Sequence, residues 1–156
     1  MAFIAWIEET WLGEVVRASA YGYPLMITLH SLGLAVMVGL SVILSLRVFG
    51  FFSTIPYSSL ERLLKIAWIG FIINLISGFS LYVANATGLI VDPYFLIKMG
   101  MVILGAILVG TMQSMINTAF ATGSQEMANM NLKIVAGAVI FCWTAAMVTG
   151  RLIAYL

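Results

Sequence analysis

The chain has one histidine, His30, and it lies inside an apolar run, Leu25-Met26-Ile27-Thr28-Leu29-His30-Ser31-Leu32-Gly33-Leu34. An ionisable side chain inside a membrane segment is costly, so it is a candidate functional group by default. Histidine is a common axial ligand of haem iron. Gly33, one turn on, removes bulk beside the imidazole, as a planar macrocycle requires. Haem propionates favour cations at the membrane edge. Lys98 and Arg151 are cations near the ends of two later apolar runs. Met26, four residues before His30 on the same helical face, offers a different chemistry: thioether with imidazole suits Cu(I).

Composition fixes the setting. The 156 residues are 63% hydrophobic and 8% charged, against about 25% charged in an ordinary soluble domain. Mean hydropathy is +1.11. A small soluble domain needs a polar surface, so the chain reads as an integral membrane protein. A net charge of +1 provides no basic field, and nucleic acid is excluded as a partner. The single cysteine, Cys142, can form neither an internal disulfide nor a zinc site, and reads as a small packing residue. The sequence has no Ser–His–Asp set, phosphate loop or Cys pair.

The elements that must position His30 follow from periodicity. Ala2 to Ala18 carries an apolar stripe of Ile4, Ile7, Trp11, Leu12, Val15 and Val16, with Glu8, Glu9, Glu14 and Arg17 largely opposite. It predicts one amphipathic interfacial helix within residues 1–20, with Trp6 and Trp11 at headgroup level; packing against a partner subunit is the other reading of that stripe. The first charges are acidic, unlike a signal peptide, so this helix is expected to be retained. Residues 21–156 hold four apolar runs, at about 23–49, 63–84, 94–121 and 127–155. Pro24 suits a first helical turn, Gly50 a C-terminal stop, Ser58 to Glu61 a capping box, Asp92-Pro93 a helix start, and Gly123 a helix end. Short loops between four spans predict an all-α, up-and-down four-helix membrane bundle.

Arg47, Arg62, Lys65 and Lys133 fall on one side of that bundle, and Arg17, Lys98 and Arg151 on the other. The bias toward the first side places it in the cytoplasm and both termini in the periplasm of a bacterial inner membrane. At 1.5 Å per residue, His30 lies roughly 10 Å from the start of its helix. The antiparallel second span reaches that depth near Ser77 and Gly78, the third near Met101 and Val102, and the fourth near Met147 and Val148. Gly70, Asn74, Ser77 and Gly78 share a face, and Gly78 is a second source of clearance. Lys98 and Arg151 would then overhang the histidine. Each piece also has a plainer role: a helix-bridging histidine, snorkelling cations, glycines for close helix packing. No second histidine supplies a sixth ligand, so a haem here would be five-coordinate or would use Met, Lys or a symmetry mate.

His30 with Gly33, Leu46-Arg47-Val48-Phe49-Gly50, Ser77-Gly78-Phe79, Phe95-Leu96-Ile97-Lys98-Met99 and Gly150-Arg151-Leu152-Ile153-Ala154-Tyr155 resemble a family of small uncharacterised bacterial four-helix membrane proteins. The resemblance runs from about Trp11 to the C-terminus and implies the fold. A remoter likeness, to the membrane protoporphyrinogen oxidase of haem synthesis, implies a haem-binding redox site built from His30 and Lys98. A third is to copper-resistance D membrane domains. The sequence therefore leaves three expectations: a haem-b-binding electron-transfer or redox protein with His30, Gly33, Gly78, Lys98 and Arg151 at the site; a non-catalytic accessory subunit of a larger membrane complex or homo-oligomer; and a copper-handling protein using His30 and Met26.

Overall fold

The computed structural model describes residues 2–122 and 130–153. Its helices are α1 (Ala2–Glu8), α2 (Trp11–Ala18), α3 (Gly22–Val48), α4 (Tyr57–Ala84), α5 (Ala86–Leu89), α6 (Pro93–Thr122) and α7 (Met130–Leu152). Segments of α3, α4, α6 and α7 with 27, 23, 27 and 23 residues are long and apolar enough to cross a membrane. At 1.5 Å per residue they reach roughly 35–40 Å, more than the 30 Å hydrocarbon layer. The chain is a multi-pass membrane protein folded as an all-α four-helix bundle. Apolar side chains such as Ile69, Ile76, Phe79, Ile107 and Phe141 cover its outside, where they meet lipid.

α3 packs most closely on α4, and α6 on α7, while α3 also meets α7. α4 and α6 meet through long side chains. Trp68 Nε1–H donates to Gln113 Oε1 at 3.1 Å, and the Tyr82 and Phe95 rings stack with centroids 5.5 Å apart. The apolar core lies between mid-bundle and the end that carries Arg47. It includes Met37, Leu44, Leu64, Val109, Met112, Val139 and Trp143. Cys142 is buried with a free thiol, in keeping with a packing role. Toward the other end, where His30 lies, three successive buried side chains of α4 are polar, Asn74, Ser77 and Ser80, before the apolar Val83 and Ala84. No residue of α6 from Pro93 to Leu104 is buried, whereas Gly105, Val109, Met112, Ile116 and Ala119 are.

The expected stop at Gly50 is a Schellman turn. Phe51 N–H donates to the Leu46 carbonyl and Gly50 N–H to the Arg47 carbonyl, both at 3.0 Å. Gly50 has φ of +99°, a conformation that L-residues resist. The Arg47 guanidinium donates to the carbonyls of Ile55 and Ser53, tying the following loop to the helix. Gly50→Ala is expected to destabilise the bundle by about 1–2 kcal/mol, measurable by unfolding in mixed micelles. Asp92 starts α6 as expected, its Oδ1 accepting from Tyr94 N–H at 2.8 Å. α4 begins at Tyr57, earlier than the predicted capping box; the side chains of Ser58 and Glu61 lie outside the described residues. Gly123, the predicted start at Met127, and Ala154-Tyr155 also lie outside them.

The N-terminal stripe forms two helices rather than one. Thr10 adopts an extended backbone (ψ 155°), and its hydroxyl donates to the Ile7 carbonyl at 2.6 Å. A Cβ on Gly13 would collide with the Glu8 carbonyl, so glycine lets α1 fold back across α2. Val16 is buried, and α2 lies against α4 and α3, while Trp6 and Trp11 stay exposed. Glu8 latches this pair to α5. Its Oε2 accepts from the Thr87 hydroxyl (2.6 Å) and backbone N–H (3.2 Å), and its Oε1 pairs with Arg17 at 3.2 Å. The Thr87 hydroxyl first, then its N–H and Arg17, hold the Glu8 carboxyl below the usual carboxylate range. A carboxyl depressed in the folded state stabilises it above the ordinary carboxyl pKa, and that contribution is lost as pH falls through the depressed value. Protection of the α1 amides against exchange should therefore fall once pH drops below the ordinary carboxylate range. Glu8→Ala should show the lowered protection already at pH 7; equal protection in variant and wild type would rule the latch out.

Candidate functional site at the His30 end

His30 faces α4 because Gly33, one turn later, brings the two helices together. A Cβ on Gly33 would stand 2.6 Å from the Gly70 carbonyl oxygen and 2.7 Å from the Asn74 nitrogen. At that approach two bonds link the helices in opposite senses. His30 Nδ1–H donates to the Asn74 carbonyl at 3.1 Å. Asn74 Nδ2 donates to the His30 carbonyl at 2.8 Å. A carbonyl oxygen can only accept, so the proton sits on Nδ1 and Nε2 carries the lone pair. Among the described residues no group bonds Nε2. Gly78 seats the ring: a Cβ there would fall 2.9 Å from His30 Cε1 and 3.1 Å from Nδ1.

Lys98 comes from the loosely packed first half of α6. Its chain lies along Gly150, where an added Cβ would be 3.4 Å from Cε and Nζ. Arg151, next to Gly150, is exposed. Neither cation has an ion-pair partner among the described residues, whose single ion pair is Arg17–Glu8. One turn above Gly78 on α4 and one turn above Lys98 on α6 stand Tyr82 and Phe95, whose stacked rings bridge the two helices. The result is a half-buried imidazole with one free nitrogen and, on α6, a half-buried ammonium without an ion pair among the described residues, next to the exposed Arg151.

The chain matches no protein-family profile, no curated protein and no solved structure. The site's meaning therefore rests on its own geometry.

That geometry brings His30, Gly33 and Gly78 together, and separately sets Lys98 along Gly150, the neighbour of Arg151. It gives the two glycines a specific occupant. The space beside Gly33 is filled by the α4 backbone, and the space beside Gly78 by the imidazole itself, where the sequence suggested clearance for a macrocycle. Met26 is half-buried one turn before His30. Among the described residues no three His, Cys, Asp or Glu side chains group as a metal site. Sequence reasoning placed Asn74 on the small-residue face without assigning it a bond. The available signal was its type: a lone amide between Gly70 and Gly78 in an apolar span needs a partner, and His30 lies at the same depth.

Proposed function

We propose that this protein binds haem b at the His30 end of the bundle and works in electron transfer or redox chemistry in a bacterial inner membrane, with both termini on the periplasmic side. The reading rests on the anchored imidazole. A ligating histidine usually donates its second ring N–H to a carbonyl or carboxylate, which fixes its tautomer and orientation; His30 has that anchor on Asn74, with Nε2 left free. Lys98 and Arg151 would meet propionates through charge-assisted bonds, each otherwise lacking an ion pair among the described residues. Gly78 and Asn74 hold the ring, and the first half of α6, which carries Lys98, has no buried residue. Haem iron supplies one-electron chemistry; the chain orients the ligand nitrogen and neutralises the carboxylates. Protein expressed with haem supplementation and purified in mild detergent should show a Soret band at one haem per chain. Its absence from well-folded protein would overturn the proposal.

The same reciprocal pair favours one other reading. Two hydrogen bonds across a glycine contact are also how membrane helices are held together, as expected of an accessory subunit in a larger complex. Stoichiometric partner chains co-purifying with the protein, together with wild-type function in His30→Ala, would support that reading. Copper would have to rest on His30 with thioethers such as Met26, and metal analysis of the purified protein tests it.

A further inference from the structure

The N-terminal helices meet two of the spans at the spans' own ends. A Cβ on Gly13 of α2 would stand 3.3 Å from the carbonyl oxygen of Val83, the last residue but one of α4. A Cβ on Gly22, the first residue of α3, would strike the Val15 carbonyl. The apolar length of α3 is 27 residues. At the helical rise that is roughly 40 Å against a hydrocarbon layer of about 30 Å, so a centred span overhangs by roughly 5 Å at each end. The headgroup region is about that deep on each side. α2 is therefore held at headgroup level. α1 stays at the same end, tied through Glu8 to Thr87, just past the end of α4. Away from the bundle these helices are aromatic and acidic. Gly13 and Val16 are buried, whereas Phe3, Trp6 and Trp11 are each more than half exposed. The Phe3 and Trp6 rings stack with centroids 5.8 Å apart, so they form one patch. Glu9 and Glu14 are exposed, and the single ion pair among the described residues, Arg17–Glu8, includes neither.

We propose that α1 and α2 form a foot in the lipid headgroup layer, with Phe3, Trp6 and Trp11 seated among zwitterionic, ammonium-bearing phospholipids. Depth argues for lipid as the partner, because rings with a polar edge gather at this level of a bilayer. Continuity argues the same way. Tyr21, Tyr23 and Leu25, exposed at the start of α3, carry the patch into the lipid-facing side of the bundle. Charge then selects the lipid. Residues 2–18 hold three carboxylates, Glu8, Glu9 and Glu14, against one guanidinium, Arg17. Interfacial helices commonly carry Lys and Arg and are drawn to anionic lipid. This one has the opposite balance and is repelled by it. An ethanolamine ammonium meets Glu9 and Glu14 as a charge-assisted donor and packs favourably on an indole face. The foot contains no residue of the His30 site, so it stands or falls independently of haem binding.

Tryptophan quenching on the full chain, in phosphatidylethanolamine–phosphatidylcholine vesicles, tests this. The signal of Trp6 and Trp11 is the difference between wild type and the Trp6→Phe, Trp11→Phe double variant, whose changes fall at exposed positions. Lipids brominated near the headgroup should quench it more than lipids brominated deep in the chains. Its quenching by acrylamide should be at least about threefold below that of free tryptophan. Replacing half of the lipid with phosphatidylglycerol should raise acrylamide quenching of this signal about twofold. The Glu9→Gln, Glu14→Gln double variant should abolish that rise. Rings open to acrylamide and untouched by brominated lipid would mean a water-facing patch. Shielding that grows with the protein-to-lipid ratio would mean a second copy as the partner. Shielding indifferent to phosphatidylglycerol would remove the selection by charge. Each of these three results would overturn the proposal.

Discussion

His30→Ala is expected to lose haem, with affinity falling by at least about 100-fold, more than the loss of an outer-shell partner brings. The fold should survive the change. Asn74 Nδ2 bonds the backbone carbonyl of His30, which alanine keeps, and Gly33 still admits α4. The vacated volume borders Gly78, so millimolar free imidazole should enter it and restore part of the Soret band. Lys98→Met should weaken haem binding roughly tenfold while leaving the band position unchanged, since it removes a charge-assisted bond but no iron ligand. Haem titrations followed by absorbance distinguish these results. His30→Ala protein with an unaltered band and affinity would eliminate His30 as the ligand.

The second large effect is expected at Gly33. The atoms that a methyl would strike, the Gly70 carbonyl oxygen and the Asn74 nitrogen, belong to the α4 backbone. No side-chain rotation relieves the clash, so the helices must separate. Overpacking of this kind costs about 1–3 kcal/mol, and more where backbone must move. Gly39→Ala on the same helix is the control. An added Cβ there meets nothing within 4 Å, and it should be neutral or stabilising by up to about 1 kcal/mol. Unfolding in mixed detergent–SDS micelles, followed by tryptophan fluorescence, compares the two. Gly33→Ala should also weaken haem binding, because moving α4 carries the Asn74 carbonyl away from Nδ1. Equal stability of the two variants would exclude the close approach.

How much of this was legible in the residues differs from element to element. The four spans followed from apolar runs of sufficient length, and the breaks at Gly50 and Asp92-Pro93 from residues whose backbone preferences are narrow. Depth counting along antiparallel helices set His30 level with Gly78, because rise per residue is nearly constant. Rotation of a helix about its axis is not readable in this way. Gly33 and Gly78 were visible as missing bulk, but what fills each space depends on which face α4 presents. The Asn74 bond and the Lys98–Gly150 contact depend on the same rotation. The break at Glu9-Thr10 was hidden by a stripe that continues across it with helical period; it forms because α1 finds partners in α5 and Thr87.

The uneven packing of α6 has a kinetic meaning. Its second half is locked into the core, while its first half is held to α4 mainly by one pair of stacked rings, Tyr82 and Phe95. Parting those two rings would free this end of α6 from α4 with the core left closed. Exchange at the site would then be governed by a local opening, far faster than unfolding. Its rate should respond to the size of residues 82 and 95 while the melting temperature of the protein barely changes.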